Sequence, residues 1–227
     1  MERFPSDSHP YEDLRTAQAA AATNKVLTNT YLLLSATLAF SALTAGLGMA
    51  FDMPRIHPIL TLVVYFGLFF AVVKTRESAM GLVSIFALTG FLGLTLGPII
   101  SMYLKVLPNG GQVVATAFGI TAATFLGLSA YAVKSRRDFS FMRGFLFVGV
   151  WAAFILGLVA WAFNMPTLSL VVSGMFVIAM SGMILYQTSE IVKGGETNYI
   201  MATVSLYVSI YNLFLSLLHI LGVVSDD

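Results

Sequence analysis

Five polar side chains near the carboxyl terminus, Ser205, Ser209, Asn212, Ser216 and His219, follow one another at steps of four, three, four and three. On an α-helix that spacing sets them along one face. Leu206, Val208, Ile210, Leu213, Phe214, Leu217 and Leu218 occupy the other faces, so the stripe runs along an otherwise apolar segment. Two chemistries fit it. In one, hydroxyl and amide groups bond backbone carbonyls and adjacent helices, at about 0.6 kcal/mol each inside a membrane; this suits Ser205 and Ser216 taken singly. In the other, Ser209 and Asn212 share a polar pocket with Gln187 and Glu190, which lie three residues apart on one face of the preceding segment. Such a cluster could form part of an ion or proton pathway.

No nucleophile and base are paired by any motif. Ser173-Gly174 and Ser181-Gly182 resemble the Ser-Gly pair of intramembrane serine proteases, but neither serine has a glycine two positions earlier. There is no His-Glu-x-x-His, and His9, His57 and His219 lie in a tail or near segment ends. Cysteine is absent, which removes disulfides, thiolate catalysis and Cys-ligated metals. The last apolar segment has no lysine to form a retinal Schiff base. Neither catalysis nor a cofactor nor a metal centre is expected.

The elements that must position these groups follow from composition and charge. Hydrophobic residues make up 58% of the chain and charged residues 10%, with a mean hydropathy of +0.86; soluble domains carry roughly 25% charge. The net charge of +1 offers no electrostatic footprint for nucleic acid. Charges are absent between Lys25 and Asp52, Arg55 and Lys74, Glu77 and Lys105, and Lys105 and Lys134, each gap predicting one spanning helix. The gap from Arg143 to Glu190 is about twice the roughly 20 residues that cross a bilayer, and Asn164-Met165-Pro166 splits it with a turn. Glu196 to Asp226 supplies a seventh helix after the stop at Gly194-Gly195. The chain is therefore read as all-α and membrane-embedded, with spans near 27–51, 57–73, 79–103, 111–133, 144–163, 167–189 and 199–224. Gly90, Gly93 and Gly97 suit close helix packing along the third span, where Pro98 adds a kink.

Lysine and arginine gather in the amino-terminal segment and the second, fourth and sixth connections; the other side has only Arg55 and Lys105. The positive-inside rule then predicts a cytoplasmic amino terminus and, after seven crossings, a periplasmic carboxyl terminus. Residues 1–25 contain Pro5, Pro10 and several acids and lack a long apolar run. They read as a flexible cytoplasmic tail, with a short helical stretch at Leu14–Thr23 and no cleavable signal, ahead of a seven-helix domain over 26–225.

The stretch Ser181-Gly182-Met183-Ile184-Leu185-Tyr186-Gln187-Thr188, the loop GGETNYI and the segment SLYVSIYNLFLSLLHILG together resemble the closing signature of the Bax inhibitor (TMBIM) family. FALTGFLGLTLGPIISMYL, NKVLTNTYLLLSATLAFSALTA and SAYAVKSRRDFSF extend the resemblance from about Asn24 onward. It implies a fold in which six helices surround a central, polar-striped seventh. Many family members carry an aspartate at the end of the sixth helix and another in the seventh, a pair associated with pH-sensitive calcium leak; the matching positions here are Gln187 and Ser209, which cannot titrate as two close carboxylates would. Glu190, one turn on, is expected to pair with Lys193 or to meet water. For a proteobacterial inner-membrane member the resemblance implies a partner besides the lipid bilayer: FtsH, a membrane-anchored AAA protease restrained by a slowly degraded substrate.

Overall fold

The computed structural model describes residues 10–225. Seven helices are long and apolar enough to cross a membrane: α1 (Pro10–Ala50), α2 (Pro58–Thr75), α3 (Met80–Val106), α4 (Gly110–Ser135), α5 (Arg143–Ala162), α6 (Pro166–Lys193) and α7 (Tyr199–Val224). A 3₁₀ turn at Ser140–Met142 leads into α5. Large apolar side chains such as Phe70 and Ile178 point outward, which suits hydrocarbon rather than water.

Local chemistry sets the helix ends. Pro58 and Pro166 open α2 and α6, where their missing N–H costs nothing and their fixed φ fits the first turn. Asn164 takes a left-handed φ of 50° in the α5–α6 turn, a region asparagine tolerates well. Gly194 closes α6 at φ 77°, which glycine adopts without a Cβ penalty. The Asn198 side chain then caps α7 by accepting the Ile200 and Met201 amides, both at 3.0 Å. Its own amide donates to the Arg76 carbonyl at 3.0 Å, so the GGETNYI loop is tied to the α2–α3 connection.

The helix α1 begins at Pro10, within the segment read as a tail. Residues 10–25 continue it, because an alanine-rich run has the highest helix propensity and extends a helix already nucleated in the membrane. At 41 residues it would be about 60 Å long, twice the hydrocarbon thickness. The remainder of the predicted tail, residues 1–9, lies outside the described residues, as do Asp226 and Asp227.

The centre belongs to α7. It packs against α6, α4, α1, α3 and α2, and Val204, Leu206, Leu213 and Leu218 are fully buried. The sixth helix, α5, packs on α6, and its backbone stays more than 8 Å from those of α7 and α2. A cleft fills the space between them. On the other flank α1 lies hard against α3 through Gly90, Gly93 and Gly97. A Cβ on Gly93 would collide with the Ser41 carbonyl and Thr44 Oγ1, and one on Gly97 would fall 2.6 Å from the Ala45 carbonyl oxygen. Pro98 deprives the Leu94 carbonyl of its helical donor, and the backbone of Gly48 closes over that oxygen.

Candidate functional site

The stripe on α7 divides between two environments. Ser209 and Ser216 are buried against neighbouring helices, whereas Ser205 and Asn212 border the cleft together with Gln187 and Glu190 of α6. The Ser209 hydroxyl shares its proton between the Ser205 carbonyl at 3.0 Å and Gln187 Oε1 at 3.3 Å. Gln187 and Ser209 are thus in contact, as a neutral pair. Asn212 Nδ2 donates to the Val208 carbonyl at 2.8 Å, back onto its own helix.

Glu190 lies over the turn after α6. Its carbonyl accepts the Gly195 amide at 2.8 Å, and a Cβ on Gly195 would come 2.9 Å from its Oε2. Lys193 does not pair with it. The lysine bonds Asp138 in the α4–α5 connection instead, which the fold brings alongside. The Lys193 hydrogen bond, helped by Ser140, holds the Asp138 carboxyl well below the usual aspartate range. At the opposite membrane face Lys105 bonds Asp52 at 2.6 Å and lowers its pKa likewise.

The cleft has a volume of about 1170 Å³ and reaches both membrane faces. Arg55 and Trp161 stand at one mouth, Arg143, Glu190 and Glu196 at the other, and Phe66, Phe147 and Trp151 line the passage between. Among the described residues no three His, Cys, Asp or Glu side chains gather as a metal site.

Three polar contacts lie outside the sequence-based candidates. Tyr207, 1% exposed, is 2.6 Å from Ser41 Oγ and donates to the Thr89 carbonyl at 3.3 Å, so it joins α7 to α1 and α3. Tyr211 stacks on it and reaches Thr95 Oγ1 at 3.1 Å. Their spacing of four was a visible signal, but tyrosine in an apolar helix reads equally as core. The third contact brings Ser173 Oγ within 2.7 Å of His219 Nδ1. Ser173 also donates to the Ser169 carbonyl at 3.1 Å. The Ser173–His219 contact ties α6 to α7.

The family described as "Inhibitor of apoptosis-promoting Bax1" matches residues 23–226. The chain is 48% identical to the "Modulator of FtsH protease YccA" of Escherichia coli K12 over the full length of both proteins. It is 54% identical to a protein of Pseudomonas aeruginosa over 89% of this chain and 90% of that one. A membrane protein of Vibrio cholerae is 46% identical over 90% of this chain and 92% of its own length.

Proposed function

Since the chain belongs to the Bax inhibitor family of multi-pass inner-membrane proteins, we propose that it modulates an FtsH-type membrane AAA protease as a substrate that is engaged but poorly degraded. The observation that carries this reading is the end-to-end match, amino-terminal segment included, to a relative named for that role. The amino-terminal part of α1 projects past the hydrocarbon, and the positive-inside distribution puts it in the cytoplasm, where a protease can grip it. Pulling on α1 strains a fold whose centre is elsewhere. To release α7, the protease must break Tyr207 from Ser41 and Thr89 and expose backbone and hydroxyl groups to hydrocarbon. Degradation then stalls with the protease occupied.

Deleting residues 2–20 is expected to relieve the restraint, so that other membrane substrates of FtsH turn over faster in cells making the truncated chain. Unchanged substrate half-lives, with the truncated protein still in the membrane, would sink the proposal. A second reading, pH-sensitive calcium or proton conduction, is favoured by one observation: Glu190 and Gln187 line a cleft that reaches both faces. The neutral Gln187–Ser209 pair weighs against it, because no two close carboxylates share a proton there. Liposome flux that disappears in Glu190→Gln would revive conduction; absence of flux across pH with FtsH copurifying in mild detergent would retain modulation alone.

A further inference from the structure

We propose that the cleft between α2 and α5 binds a single anionic phospholipid, with its phosphate on Arg55 and its acyl chains running inward along α5 and α7. The backbones of the two helices stay more than 8 Å apart, so the cleft opens sideways into the bilayer, and its passage is walled by Phe66, Phe147, Trp151 and Phe154. A transmembrane helix about 10 Å wide and 30 Å long occupies on the order of 2,400 Å³, twice the 1170 Å³ of the cleft. Aliphatic chains are thin enough to enter. On the α7 wall Asn212 has turned one amide N–H onto the Val208 carbonyl, and Val208 and Leu215 beside it are apolar.

Charge fixes which way the lipid lies. Arg55 is at one mouth, and among the described residues no carboxylate is within 4.0 Å of its guanidinium; its contact is the Met102 thioether, a weak acceptor. The nearby acid, Asp52, is engaged by Lys105. A guanidinium in that state matches a phosphodiester by two parallel N–H···O bonds. Trp161, with its ring against His57 at the same mouth, supplies the amphipathic aromatic surface that sits at headgroup level. The other mouth sets Glu190 and Glu196 beside Arg143 and so disfavours an anionic headgroup.

The chain's two tryptophans, Trp151 and Trp161, both line the cleft, which makes the proposal measurable in the full-length protein. In vesicles of equimolar phosphatidylglycerol and phosphatidylethanolamine, brominated acyl chains are placed on one lipid or the other and tryptophan quenching is compared. Phosphatidylglycerol is expected to win by about fivefold in apparent affinity, the effect of one basic side chain near an anionic lipid. Arg55→Gln, in an exposed connection, should abolish that preference while the thermal midpoint stays at the wild-type value. Native mass spectrometry should find phosphatidylglycerol retained by the wild type and depleted in the variant. Equal quenching by both lipids in the wild type, or a preference that survives in Arg55→Gln, overturns the proposal. So does a partner protein's helix photocrosslinked to Trp151-side positions in preparations that retain no lipid.

Discussion

Against α1, α7 is fastened by hydroxyl bonds between helices, whereas toward α2 and α5 it borders an open cleft of about 1170 Å³. Both flanks carry polar groups, but they use them differently. On the closed flank Tyr207 reaches Ser41 and Thr89, and the Thr203 hydroxyl approaches the Thr30 carbonyl at 3.3 Å. On the open flank Asn212 bonds its own helix at the Val208 carbonyl, while the buried Ser209 turns to its own helix and to Gln187 of α6. A polar stripe is therefore a poor guide to where a membrane helix is held. The closed flank resists separation; the open one keeps groups available to whatever enters.

The largest test of this contrast is steric. Gly93→Leu would drive a side chain into the Ser41 backbone and Thr44, and overpacking of this kind costs about 3 kcal/mol or more. A marked fall in thermal midpoint and loss of the monodisperse peak in mild detergent are expected. Gly67→Leu, on α2 where nothing lies within 4 Å of an added Cβ, should leave the midpoint unchanged. Equal damage from both would mean that the flanks are not differently packed.

Next in size is Tyr207→Phe, which keeps the ring but takes away the partner of the Ser41 hydroxyl and the second donor to the Thr89 carbonyl, a loss of about 1–2 kcal/mol. Asn212→Leu on the cleft side removes one bond to its own helix and should cost about 0.6 kcal/mol or less. Thermal unfolding of the two variants side by side measures the ratio. A larger loss for Asn212→Leu would move the fastening of α7 to the flank facing the cleft.

Much of the architecture was legible because a membrane allows so few solutions. Charge-free gaps mark the helices, and Asn164-Met165-Pro166 and Gly194-Gly195 mark turns by the φ angles those residues accept. Tertiary pairing was less legible. Periodicity tells which residues share a face, not what the face meets, so Ser209 and Asn212 were visible as a stripe while the Tyr207–Ser41 bond, across 166 residues, was not. The Ser173–His219 contact was hidden for the same reason. Glu190 was expected to pair with Lys193, its neighbour in sequence, or to meet water, and the fold gives Lys193 to Asp138. The cleft itself is a gap between α2 and α5, and no local pattern announces a contact that is not made.

The smallest expected effect concerns the ion pairs that staple one connection on each flank: Asp52–Lys105 beside α1 and α3, and Asp138–Lys193 between the α4–α5 connection and the end of α6. Both aspartates titrate below their ordinary value of 3.8 in the folded protein. A depressed carboxyl pKa contributes stability that is complete above 3.8 and is lost as pH falls through the lower folded value. Both pairs are exposed, so each contribution is small and screened by salt. In low salt at neutral pH, Asp138→Asn should therefore lower the thermal midpoint slightly, and the wild-type and variant curves should converge below pH 4. Asp52→Asn should behave alike, since the staples sit at the membrane faces, outside the region where the flanks differ. Curves that stay parallel into acid would remove the pairs from the account of stability. A larger effect for Asp138→Asn alone would show that the open flank depends on its staple to hold α5 at its distance from α2.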